Sequence, residues 1–158
     1  MTSIDALSEF WKNARGALGL AEDAPVPDAW RFGDSPRMAD ELLALVLAGK
    51  KRATAGSLWD HEAENEPLPE VGELSIVLDG AGAPACVIEI TEVSVMPMSE
   101  VDAGFAYDEG EGDRSLEWWR QVHESFFRRL LPAIGREFAP DMPLVLQRFA
   151  LRYRRSGA

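Results

Sequence analysis

Two short stretches of this sequence carry side chains suited to catalysis. The first is Gly49-Lys50-Lys51-Arg52-Ala53-Thr54, three cations in succession with a hydroxyl three residues beyond Lys51. A lysine beside a threonine can serve as base, or as anion anchor, for a hydroxyl nucleophile. Cations just past a helix C-terminus also complement its dipole, by roughly 0.3–1 kcal/mol each, and this alone accounts for one or two of them. It does not account for Thr54. Strict strand alternation would set Lys51 and Thr54 on opposite faces, so their cooperation requires the corner after Gly49 to break that alternation. The second stretch is Glu109-Gly110-Glu111-Gly112-Asp113. Its two glycines permit a tight backbone and close approach by a ligand. Asp113 or Ser115 suits the N-cap of a following helix, whereas Glu111, set between glycines, has no capping duty. A third candidate, His123, falls one helical turn from both Trp119 and Phe127. Two readings stand for it: a core histidine with one hydrogen bond, or a ligand-facing group on a pocket wall beside Trp119.

Other chemistries lack their residues. A phosphate-binding P-loop needs a glycine four residues before its Gly-Lys pair and a Ser or Thr just after it, and Ala44 and Lys51 hold those places. His61 and His123 are the only histidines, and there is no HExxH pair or cysteine cluster. EF-hand spacing is absent among the many acids, so neither metal nor cofactor is expected. No G-x-S-x-G elbow supports a serine triad. Cys86, the only cysteine, sits inside a strand pattern with no neighbouring base to lower its pKa, and is expected to be a buried, inert thiol.

The elements that would position these residues follow from periodicity. Ile4, Leu7, Phe10, Trp11, Ala14 and Leu18 recur at helical spacing over residues 3–18. The connector after it contains Pro25 and Pro27 and is too short to separate two domains, so residues 1–31 are expected to pack on a main body. Ser35 and Pro36 suit the start of a second helix, whose apolar face is Leu42, Leu43, Val46 and Leu47 and whose stop is Gly49. Residues 60–66 read as a short helix or loop. Strands are predicted at 73–78, 85–95 and 144–153, the first two joined as a hairpin by Asp79-Gly80-Ala81-Gly82. Residues 97–113 read as an acidic loop. A long helix is predicted from about Ser115 to Ile134, ended by Gly135. Helices and strands mix without regular βαβ alternation, which points to an α+β fold, a small curled sheet or barrel with helices packed on it.

The 158 residues amount to about one domain. Apolar residues make up 46% and charged residues 27%, which excludes a disordered, collagenous or low-complexity chain. Acids interrupt the N-terminal stretch, so no secretory leader is expected. No apolar run is long enough to span a bilayer, and with a single cysteine the cytoplasm is the expected compartment. The net charge of -11 argues against nonspecific binding of phosphate polymers. That charge is unevenly spread: residues 53–113 hold 15 acids and no Lys or Arg, while the rest holds 12 acids and 16 bases. If the two catalytic stretches meet, a cationic corner faces an acidic loop, an arrangement suited to a small ligand.

Taken in order, three pieces resemble the ASCH domain family of the PUA-like superfamily: the Gly49–Thr54 corner; Val71-Gly72-Glu73-Leu74-Ser75-Ile76-Val77-Leu78 with Cys86-Val87-Ile88-Glu89-Ile90-Thr91-Glu92-Val93; and Glu109–Asp113 followed by Leu116, Trp119, His123, Phe126 and Phe127. The resemblance implies a small mixed PUA-like β-barrel flanked by helices over residues 32–155, with the N-terminal helix as an addition. It implies a cleft between the Lys51 corner and the Glu111 loop that takes a nucleoside or single-stranded RNA. One small relative is similar to an amidohydrolase of N4-acetylcytidine, whose lysine, threonine and glutamate match Lys51, Thr54 and Glu111. On that pattern Thr54 attacks the amide carbonyl, Lys51 takes its proton, and Glu111 orients or protonates the leaving nitrogen. A lysine base of this kind needs a depressed pKa. The alternative is an RNA or modified-base binding module, with or without ribonuclease action. There Lys50 and Arg52 join Lys51 on phosphate, Trp59, Tyr107 or Trp119 stacks on a base, and His123 lines the wall. Gly56 stands where the family pattern usually has an arginine.

Overall fold

The computed structural model describes residues 4–156. Along the chain run α1 (Ile4–Ala17), β1 (Asp28–Trp30), α2 (Pro36–Leu47), β2 (Ala53–Ser57), α3 (Leu58–Ala63), β3 (Leu74–Leu78), β4 (Pro84–Pro97), α4 (Ala103–Glu109), α5 (Leu116–Leu130) and β5 (Pro143–Arg154). The strands form one mixed sheet in the order β1-β3-β4-β5-β2. β1 pairs parallel with β3, and every other pairing is antiparallel. The sheet curls into a half-barrel, with β1 and β2 as its unpaired edges. The α+β class and the helix-flanked mixed sheet are those expected, with closure stopping halfway.

Alternation within β3 places the helices. Ile76 and Val77 are both fully buried and face opposite sides of the sheet. Ile76 packs with Phe10, Trp11 and Ala14 of α1, and Val77 packs with Leu43 and Val46 of α2. The Trp11 indole donates to the Ala24 carbonyl at 3.0 Å, which ties the proline-containing connector to α1. A third cluster joins Phe105 and Ala106 of α4 and Trp119 and Phe127 of α5 to Ala53, Leu144 and Leu146 at the β2–β5 end. Two of these clusters bear on the Lys51 corner: one seats α2, whose exit leads into it, and the other packs α4 and α5 at the β2–β5 end.

Several elements differ from the sequence expectation, among them the short edge strand β2, which is not one of the three predicted strands. β1 is a three-residue parallel strand, too short to show a period. Residues 103–109, within the predicted acidic loop, form α4: Asp102 accepts a hydrogen bond from the Phe105 amide at 2.9 Å, and the turn buries Phe105, Ala106 and Glu109. The long helix also changes character before its predicted end. Pro132 lies in a 3-10 turn at Leu131–Ile134, closed by Gly135 as expected.

Gly110 has φ +73°, and a Cβ there would run into the Lys50 carbonyl and Lys51 Cα. Gly49 has nearly the same φ, +78°, with open space where a Cβ would stand. Left-handed backbone costs a non-glycine residue about 1–2 kcal/mol, so Gly49→Ala should lose about that much. Gly110→Ala should lose clearly more, read as the urea midpoint. Equal losses would mean that the close approach of the two loops does not constrain the fold.

Candidate functional site

The corner after α2 is pinned by backbone hydrogen bonds. The amides of Lys50 and Lys51 both donate to the Leu45 carbonyl, at 2.9 and 3.1 Å, and the Arg52 amide donates to the Asp108 carbonyl at 2.7 Å. The chain therefore turns before β2 begins, and strand alternation starts only at Ala53. As a result Lys51 and Thr54 line the same cavity, the arrangement that strict alternation forbids. Lys50 and Arg52 face outward and are exposed.

Lys51 is 2% exposed. Its Nζ donates to the Ala53 carbonyl at 2.9 Å, Glu109 Oε1 at 3.1 Å and Glu111 Oε2 at 2.8 Å. With the Glu109 carbonyl also 3.4 Å away, the three ammonium protons are shared among four acceptors. The ammonium also stands 5.4 Å from the centre of the Phe32 ring, a favourable cation–π position. Burial pushes the lysine pKa down, but the two carboxylates outweigh it and raise the pKa above its ordinary value. The expected role of Lys51 as a base requires a lowered pKa. Its surroundings stabilise the charged form, the reverse of what such a base requires.

Glu109 ends α4 and is 2% exposed. One oxygen accepts from Lys51; the other accepts from the Trp119 indole N–H and faces His123 Nε2 at 3.2 Å. Burial works against its charge, yet Lys51, His123 and Trp119 together hold its carboxyl well below the usual carboxylate range. His123 Nδ1 lies 2.8 Å from the Trp119 carbonyl. A carbonyl and an ionised carboxylate both accept, so this setting favours the doubly protonated, imidazolium form of His123. Its pKa is lowered by burial but raised on balance, chiefly by Glu109. The ring also stacks on Trp119, with centroids 4.0 Å apart.

Glu111 differs from Glu109. Its side chain is 21% exposed, it lines the cavity, and only Oε2 is engaged among the described residues. The cavity is about 150 Å³. Its polar end holds Lys51, Thr54, Glu109, Glu111 and His123, and its apolar wall holds Phe32, Met38, Leu42, Val122 and Phe126. Among the described residues no three His, Cys, Asp or Glu converge to hold a metal ion.

The remaining expected ligand contacts lie elsewhere. Arg52 pairs with Asp108 at 2.9 Å. Tyr107 is half-exposed, with the Arg114 guanidinium 3.5 Å from its ring centre. Trp59, in the first turn of α3, packs on the core, with Arg136 4.7 Å from its ring centre. Trp119 is 1% exposed, so it supports the site through Glu109 and offers no face for stacking. None of these, nor Lys50, lines the cavity. Burial pushes the Cys86 thiol up to about 12, which leaves it inert at neutral pH. Sequence reasoning missed Glu109 and the apolar wall. The available signal was spacing: Phe105 and Glu109 stand four apart on one helical face, so a carboxylate there must be buried and paired.

A family model described as ASCH domain matches residues 28–153. Two crystal structures resemble nearly the whole chain. A protein from Enterococcus faecalis V583, described under the family DUF984, is 38% identical with a TM-score of 0.86, covering 94% of this chain and 89% of its own. An ASCH domain from Lactobacillus crispatus JV V101 is 32% identical with a TM-score of 0.85, covering 95% of this chain and 96% of its own. No curated protein matches the chain.

The raised His123 pKa has a signed consequence for stability. The imidazolium stabilises the fold fully below the unfolded histidine value of about 6.5, and this is lost as pH rises through the folded value. The lowered Glu109 pKa acts oppositely: its contribution is present above the unfolded carboxylate value and lost as pH falls through the folded one. Titration of the His123 ring protons by NMR should give a midpoint above the free-histidine value. His123→Gln should flatten the alkaline side of the stability profile. A His123 midpoint at or below that of free histidine would contradict the imidazolium assignment.

Proposed function

Since this chain belongs to the ASCH domain family, whose PUA-like fold is associated with RNA binding, we propose that its cavity hydrolyses the amide of a small N4-acylated, cytidine-like nucleoside. The observation that carries this reading is the Lys51 ammonium held 2.8 Å from Glu111 in a cavity that also presents the Thr54 hydroxyl. Thr54 Oγ attacks the amide carbonyl carbon while Glu111 accepts its proton. The charge that develops on the carbonyl oxygen is stabilised by the fixed Lys51 ammonium in a largely water-excluded site. The carbon–nitrogen bond breaks as Glu111 returns the proton to the leaving nitrogen, which leaves an acyl ester on Thr54. Water, deprotonated by Glu111, then attacks that ester and releases the carboxylic acid and free Thr54. The net reaction consumes one water per amide. Lys51 thus acts as a fixed positive charge and Glu111 as the proton carrier.

The family's association with RNA favours a second reading, a module that binds single-stranded RNA at the same cleft, with or without cleavage. The basic C-terminal segment gives it less support than its composition implies, because Arg148, Arg152 and Arg155 are paired with Asp108, Glu89 and Asp79.

Turnover of N4-acetylcytidine to cytidine tests the first reading. Thr54→Ala and Glu111→Gln should each lose roughly 10²–10⁴-fold, the usual range for a positioned acid or base. Lys51→Met should lose roughly 10²–10³-fold, comparable to removal of an oxyanion donor. No turnover by the wild type, or unchanged rates in all three variants, would end the proposal. A single-stranded oligonucleotide whose affinity falls steeply with salt, without turnover of the nucleoside, would establish the second reading instead.

A further inference from the structure

We propose that a groove at the open seam of the half-barrel is the second half of the site, and that it takes an uncharged nucleoside and rejects one bearing a phosphate. The inference rests on the hydrolase reading and extends it to substrate class. Small-molecule sites usually measure about 300–1,000 Å³. The Lys51 cavity, at about 150 Å³, has room for an acyl amide but not for the nucleoside attached to it. The seam groove is about 750 Å³.

Two residue pairs place the groove against the cavity. Thr54 and Gln147 are direct cross-strand partners in the β2–β5 ladder. Such partners point to the same face, with Cβ atoms roughly 4.5–5.5 Å apart. Thr54 lines the cavity and Gln147 lines the groove. Phe32 of the cavity also meets Trp30 of the groove edge-on, with centroids 4.8 Å apart. These two contacts set one wall of the groove beside one wall of the cavity.

The lining suits a heteroaromatic base. Trp30 offers a half-buried aromatic ring. The Gln147 amide and the Ser75 hydroxyl supply both donors and acceptors, and neither makes a side-chain hydrogen bond among the described residues. His61 Nδ1 is buried and has no hydrogen-bond partner among the described residues. Three carboxylates, on Asp28, Glu66 and Glu73, border the groove, and no lysine or arginine among the described residues lines it. A neutral base and ribose fit this surface. A phosphate meets only like charge.

Isothermal titration of the full chain with cytidine and with cytidine 5′-monophosphate tests this directly. Cytidine should bind, and the monophosphate should bind at least tenfold more weakly at low salt. Trp30→Ala and Gln147→Ala should each weaken cytidine about tenfold, Gln147→Ala with an unchanged melting temperature and Trp30→Ala with a lowered one, since Trp30 also packs on Phe32. If Trp30→Ala fails to fold, Gln147→Ala and Ser75→Ala carry the test. No cytidine binding, equal affinity for the monophosphate, or unchanged affinity in the folded variants would overturn the proposal. Because the readout is binding and not turnover, cytidine bound as predicted beside an inactive wild type would remove the hydrolase reading and leave the groove standing.

Discussion

A lysine ammonium buried away from water is the constraint on which this site depends. An isolated buried charge costs several kcal/mol, and removing one partner of a buried pair typically costs about 3–5 kcal/mol. Lys51 therefore needs anions, and Glu109 and Glu111 supply them from one short segment. Glu109 is itself buried, so it needs donors in turn, and Trp119 and His123 of α5 provide them. Each demand recruits another element: the exit of α2, the end of α4, then the middle of α5. Gly110 lets the chain reverse between the two carboxylates while lying directly against the Lys50–Lys51 backbone. Networks of this kind add little net stability over apolar packing of the same volume. Their meaning lies in what they position, here Glu111 and Thr54 at one cavity.

The same logic of local neutralisation explains the uneven charge along the chain. The acidic block of residues 53–113 carries Asp79, Glu89, Glu92 and Asp108, and the arginines of β5 and the residue after it lie opposite them. Arg148 meets both Asp108 and Glu92, Arg152 meets Glu89, and Arg155 meets Asp79. β4 and β5 pair along most of their length, so charges far apart in sequence become cross-strand neighbours. Such partly exposed pairs are worth only about 0–1 kcal/mol each. Their importance is electrostatic: they occupy the cations that would otherwise form a phosphate-binding surface. What remains near the seam is acidic, and that shapes which ligands approach it.

Much of the frame was legible because it obeys local rules. The Ser35–Pro36 start of α2 is one example: Ser35 accepts from the Met38 amide at 3.1 Å as an N-cap should. Strands β3, β4 and β5 carry enough apolar residues to show themselves. The parts that were not legible depend on distant partners. β1 exists because β3 lies beside it, through the pairs Asp28–Ser75 to Trp30–Val77. α4 is held by one cap and by two residues buried against α5 and the sheet. Lys51, Thr54 and Glu111 stood out by type and spacing, and they share one cavity. Their division of labour did not show, because the charge state of Lys51 is set by Glu109, a residue whose burial only the tertiary fold reveals. Trp59, Tyr107 and Trp119 were plausible stacking residues by composition alone, and packing turned each to another use.

A site with two carboxylates works only if their environments differ, and here the difference is structural. Glu109 has both oxygens committed, one to Lys51 and one to Trp119 and His123. A proton placed on it would break several interactions at once, so it stays ionised and keeps Lys51 charged. Glu111 gives Lys51 one oxygen and keeps the other free toward the cavity. A charged Lys51 cannot accept a proton, and an imidazolium at His123 cannot either. On the proposed hydrolase reading, proton transfer in this cavity is therefore assigned to Glu111. The rest of the cluster holds that carboxylate in place and sets a fixed positive charge beside it.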